Sequence, residues 1–159
     1  MSPDTQSRRV ILSLIILSIV ISVVAGAFTD SELKECKKFT RKVLKQILKE
    51  LGVCNSEWKN KTKSQEEHSK KMGCVVRCIL DKEQMLDEHG LVTSETIIRS
   101  VGDRAPDKFK KLALRLFHQC DDQLGKTLQP NDELCAGYSK FGNCIQNSIA
   151  DMCHVDIPF

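Results

Sequence analysis

From residue 30 onward the chain places its apolar side chains at helical spacing. Leu33, Cys36, Phe39, Val43, Ile47 and Leu51 recur at steps of three or four, while Lys34, Lys38, Arg41, Lys45 and Lys49 fall mostly on the other side. This predicts an amphipathic helix capped by Asp30 or Ser31 and closed by Gly52, with Cys54 just beyond. Residues 55–71 are strongly polar, with Trp58 as the one large apolar side chain, and read as a surface segment with a short helix around 64–69. Periodicity resumes at Met72 and runs through Val75, Val76, Ile79, Leu80, Met85 and Leu86 to His89, where Gly90 closes the helix. A short helix starts at Ser94 and carries Ile97, Ile98 and Val101. Residues 102–106 break the pattern, and Pro106 suits the first turn of the helix that follows. That helix sets Phe109, Leu112, Leu116, Phe117 and Cys120 against Lys108, Lys111 and Arg115. After a loop at 128–131, Asp132 caps a last helix through Cys135, Tyr138, Phe141, Cys144 and Ile145. No segment alternates convincingly as a strand and no internal repeat occurs, so the fold class is all-α.

The opening stretch differs from the rest. Arg8 and Arg9 precede an apolar run from Val10 to Val24, relieved only by Ser, and Ala25-Gly26-Ala27 puts small residues at −3 and −1 of a cut before Phe28. Residues 1–27 therefore read as a signal peptide and 28–159 as one helical domain. The run is short of the roughly 20 residues that span a bilayer, which argues against a stable membrane anchor after cleavage. Losing Arg8, Arg9 and Asp4 would leave a net charge near +2. With no block of like charge, nucleic acid is not an expected partner.

All eight cysteines (Cys36, Cys54, Cys74, Cys78, Cys120, Cys135, Cys144 and Cys153) follow the signal segment. An even count in a secreted chain reads as four disulfides, for which composition alone allows 105 pairings. Cys74 and Cys78 lie one turn apart on a shared helix face, and Cys135 and Cys144 lie half a turn out of phase, so members of each pair should reach different elements. No CxxC occurs, and neither a metal nor any other cofactor is expected. Asn60-Lys61-Thr62 is an N-glycosylation sequon, which places Asn60 at the surface. Gly-x-Ser-x-Gly, His-Glu-x-x-His, a phosphate-binding glycine loop and the adjacent cysteines of a secreted phospholipase are all missing, so no catalytic residue is nominated.

The spacing Cys74-x3-Cys78-x41-Cys120-x14-Cys135-x8-Cys144 resembles the insect odorant-binding protein family. Gly73-Cys74-Val75-Val76-Arg77-Cys78-Ile79-Leu80-Asp81-Lys82 looks like that family's third helix, and Asp132-Glu133-Leu134-Cys135-Ala136-Gly137-Tyr138 like the start of its sixth. The resemblance implies about six helices around an internal apolar pocket, with cysteines paired first to third, second to fifth and fourth to sixth. Carried over, this gives Cys74–Cys135 and Cys120–Cys144. The first cysteine is ambiguous: Cys54 lies only 19 residues before Cys74, whereas Cys36 leaves 37 between. Cys54–Cys78 with Cys36–Cys153 is favoured, and the swapped pair is the alternative. The extra pair departs from the six-cysteine pattern. A bridge at Cys153 would pin the tail as a fixed lid and leave only His154 to Phe159 free.

The resemblance further implies a secreted, extracellular carrier of odorants, pheromones or similar molecules, with a small apolar ligand and an olfactory membrane receptor as partners. The chain would act as a monomer or weak homodimer. The alternatives are the same fold in venom, saliva or reproductive fluid, and a solid-cored helical protein that acts on a protein partner. Candidates for the pocket wall are Val76, Leu80, Met85, Ile97, Val101, Leu112, Leu116, Phe117, Tyr138, Phe141 and Ile145, with Phe159 as a plug. Periodicity does not distinguish any of them from ordinary core. His68, His89, His118 and His154 are candidates for pH-gated release, although surface histidines without a role are commoner.

Overall fold

The computed structural model describes residues 28–102 and 104–154. Residues 1–27, and with them the expected signal peptide, lie outside this range, as do Asp103 and the tail from 155 to Phe159. Two units are distinguished, Met1–Leu33 and Lys34–Phe159. In the first, only the opening turn of a helix is described. The described residues form six α-helices and one short 3-10 turn, with no strand: α1 Asp30–Lys61, α2 Gln65–Lys70, α3 Met72–Lys82, α4 Ser94–Gly102, α5 Asp107–Leu124 and α6 Ala136–Cys153, the 3-10 turn Gly125–Thr127 lying between α5 and α6.

Each boundary has a local cause. Thr29, not Asp30 or Ser31, caps α1: its hydroxyl accepts from Glu32 N at 3.3 Å while the Glu32 carboxylate accepts from Thr29 N at 2.9 Å, a reciprocal capping box. The helix does not stop at Gly52 but runs on to Lys61. Nothing would meet a side chain at position 52, and a glycine in a helix interior costs only about 1 kcal/mol. The bridge from Cys54 to Cys78 then fixes the continuing turns to α3. Thr62 closes α1 by donating its hydroxyl to Trp58 O at 3.1 Å. Ser64 caps α2 by accepting from Glu67 N.

The third helix ends at Lys82, well before His89. Gln84 takes a left-handed conformation with φ +58°, Met85 N donates to Leu80 O, and Gln84 N donates to Asp81 O. This double closure is a Schellman motif built on a residue other than glycine. Gly90, with φ +78°, instead turns the loop that follows, where the Asp87 carboxylate accepts from His89 N and Leu91 N. Pro106 stands at the N-cap of α5, and its carbonyl accepts from Phe109 N and Lys110 N. Asp132 does not cap α6 directly. Cys135 occupies that position with φ +52°, while the Asp132 carboxylate gathers Ala136 N at 2.7 Å and Leu134 N at 3.0 Å. Those two backbone donors, Ala136 first, hold the Asp132 carboxyl below its ordinary pKa.

The final helix is the axis of the second unit: α3 and α5 both pack on it, and α4 packs on α5. Four disulfides join Cys36 to Cys153, Cys54 to Cys78, Cys74 to Cys135 and Cys120 to Cys144, and no cysteine is free. Close approach of α3 to the turn before α6 requires Gly73, because a β-carbon there would run into the carbonyls of Cys135 and Leu134. We expect Gly73→Ala to push α3 off this turn beside the Cys74–Cys135 bridge. The cost should be about 1–3 kcal/mol of stability, read as a lowered midpoint in denaturant unfolding of the oxidised protein.

Candidate functional site

Inside the second unit lies a cavity of about 410 Å3, within the range of ~300–1,000 Å3 usual for small-molecule sites. Its wall is mostly aliphatic. The first helix contributes Phe39, Val43, Leu44, Ile47 and Leu51; α3 contributes Met72, Val76, Ile79 and Leu80; α5 contributes Ala113, Leu116 and Phe117. From α6 come Ile145, Ile149 and Met152 with the more polar Ser139, Asn143 and Gln146, while Met85, Val101 and Ala105 line the remaining side.

The α1 wall is held in an unusual way. Cys36 ties it to Cys153 at the end of α6, and Cys54 ties it to Cys78 on α3. Between these anchors runs roughly 27 Å of helix at ~1.5 Å per residue, and all five of its cavity-lining side chains fall within that span. They are half-buried, as expected of side chains facing a hollow, whereas Cys36, Thr40 and Cys54 are fully buried at the anchors. At one anchor the Thr40 hydroxyl lies 3.0 Å from Cys153 Sγ. Glu35 adds an ion pair to Lys108 at the start of α5.

One charged pair enters the cavity wall. Glu83, just past α3, is buried and ion-paired with Arg104, which follows α4 and is partly exposed. Ser100, one turn before Arg104, is also buried and lines the same cavity.

Of the pocket candidates read from the sequence, Val76, Leu80, Met85, Val101, Leu116, Phe117 and Ile145 line the cavity. Ile97, Leu112, Tyr138 and Phe141 do not, and each has a different environment. Ile97 and Phe141 are fully buried in the solid core, and Leu112 is half-buried on α5, one turn from the lining Leu116. The Tyr138 hydroxyl donates to Gly90 O at 2.7 Å, its ring lies 5.3 Å from the Arg77 guanidinium, and Arg77 in turn donates to Pro130 O at 2.7 Å. Tyr138 is thus spent on joining two loops to α3 and α6. Phe159 lies outside the described residues. None of the four histidines lines the cavity: His68 is buried 2.9 Å from Asn55 Oδ1, and His89 and His154 are exposed. Asn60 is exposed near the end of α1.

Sequence reading missed the α1 wall, although the period of Phe39, Val43, Ile47 and Leu51 was visible. It also missed Glu83 and Arg104, which only the fold brings together.

An all-helical, disulfide-linked domain around an apolar cavity defines a class of binding protein. Residues 29–148 match the PBP/GOBP family, and the chain belongs to it, the insect odorant-binding proteins. This is a family of binding proteins for small hydrophobic ligands, not of enzymes. Searches of curated proteins and of solved structures returned no significant match. Among the described residues, no helix is long and apolar enough to cross a membrane.

Two outcomes are expected from this geometry. Burial favours the neutral phenol of Tyr138 and outweighs the opposing pull of Arg77, so its pKa stands above the ordinary value of about 10. The neutral form's contribution to stability is whole below pH ~10 and is lost as pH rises through the raised value. Because Tyr138 is the sole tyrosine, ultraviolet titration reads it alone: the midpoint should lie above that of the denatured chain. Second, Cys36→Ser with Cys153→Ser should release the N-terminal half of α1. Amide exchange should accelerate across 34–47 far more than near Cys54, with a stability loss of about 2–5 kcal/mol.

Proposed function

We propose that the protein is a secreted carrier that takes up small hydrophobic molecules, such as odorants or pheromones, and moves them through aqueous fluid. The observation that carries this reading is the apolar cavity lined by α1, α3, α5 and α6 in a chain of this family. An apolar ligand that leaves water for such a hollow gains roughly 25 cal/mol per Å2 of surface removed. The hollow is preformed, so little ordering cost opposes binding. Release to an olfactory membrane receptor would complete transport. The eight paired cysteines suit an oxidising extracellular setting.

Titration of the oxidised protein with a naphthylamine fluorescent probe tests the reading. Saturable binding, displaced by long-chain alcohols or esters, is expected. Leu116→Trp should fill part of the cavity and weaken probe binding by about tenfold or more while helical circular dichroism stays unchanged. Absence of binding by the intact protein would sink the carrier reading and favour action on a protein partner.

A further inference from the structure

The carrier reading leaves open what the one charged pair in the wall does, and the inference here rests on that reading. Among the described residues that line the cavity, Glu83 is the only carboxylate and Arg104 the only cation. Glu83 is more than nine-tenths buried, and Arg104 is its one partner among the described residues. An ionised carboxylate offers about four acceptor positions, and one guanidinium fills at most two of them. Arg104 carries five N–H donors and is itself partly exposed, so donor capacity also remains. Acceptor and donor therefore stand side by side in a wall that also holds Ser100, Ser139, Asn143 and Gln146 and is otherwise apolar.

We propose that Glu83 and Arg104 form a head-group site that selects neutral aliphatic alcohols: the ligand hydroxyl donates to Glu83 and its oxygen accepts from Arg104, while the chain fills the aliphatic hollow. The competing head groups each fail on one half of the pair. An ester or aldehyde only accepts, so it engages Arg104 and leaves the buried Glu83 oxygen unserved. A carboxylate brings a second negative charge beside Glu83 in a medium of low dielectric. An ammonium serves Glu83 but sets a second cation against Arg104. Of these head groups, only a hydroxyl meets both partners without adding charge. Sites built to hydrogen-bond a hydroxyl reject analogues that lack it, because buried polar groups are then left unpaired.

The test is displacement of the fluorescent probe from the intact, oxidised protein by dodecanol, dodecyl acetate, dodecanal, dodecanoic acid and dodecylamine, compared at neutral pH. Dodecanol should compete about tenfold or more better than each of the others. The variant Glu83→Leu with Arg104→Leu removes both charges at once, so no unpaired charge is left to compromise folding. Its circular dichroism should match that of the unaltered protein, and, whatever its own affinity for the probe, it should lose the preference, with alcohol and acetate competing within about twofold of each other. Arg104→Lys keeps the charge but not the planar fork, and should retain only part of the discrimination. Probe binding with equal competition by all five head groups would overturn this assignment and leave the carrier reading standing. So would a preference that survives in the double-leucine variant. Absence of probe binding in the unaltered protein overturns both.

Discussion

A hollow interior is the constraint to which the rest of the second unit answers. A side chain that faces an unfilled space forgoes the contacts it would make in a packed core, and a partly open cavity of about 410 Å3 multiplies that loss over its whole lining. Packing does not supply the compensation, because the α1 side chains that face the hollow are only half-buried. Covalent anchorage does. Cys36–Cys153 and Cys54–Cys78 fix α1 at two points on either side of its cavity-facing stretch, and Cys74–Cys135 and Cys120–Cys144 lock α3 and α5 to the α6 axis. The walls are thereby held apart as firmly as they are held together.

Away from the hollow the structure is conventional core, and polar groups there are used to join loops. Arg77 is the clearest case. Its guanidinium donates to Pro130 O and lies over the Tyr138 ring, whose hydroxyl donates to Gly90 O. A β-carbon at Gly90 would approach Arg77 Nη2 to 3.0 Å, so the left-handed glycine both turns the chain and admits the guanidinium. Two long loops are in this way fastened to α3 and α6.

This division explains what could be read in the sequence and what could not. Helical period, cysteine spacing and the all-α class are local properties, and they are written in steps of three and four along the chain. Helix ends were less legible where an atypical residue does the work: Gln84 turns left-handed after α3, while Gly52 sits quietly inside α1. Periodicity also says that a side chain faces inward without saying which inward space it meets. Ile97 and Val101 share one face of α4 by spacing, yet only Val101 lines the cavity. The α1 face was visible as a stripe, but its assignment to the wall depends on two bridges that close loops of 24 and 117 residues. Glu83 and Arg104 carried no signal at all, because neither belongs to a helical stripe and their pairing exists only once α3 and α4 are in place.

The charged pair is also the point at which stability and specificity separate. Burying an ion pair seldom strengthens a fold, and apolar replacements of similar volume are commonly neutral or stabilising. A cavity meant only to be greasy would be better lined without Glu83 and Arg104. Their presence in the lining instead gives the hollow a charged donor and acceptor that a ligand's head group can meet. The disulfides supply the stability that lets such a pair be kept. The covalent frame thus permits both the empty volume and the charged contact that makes the volume selective.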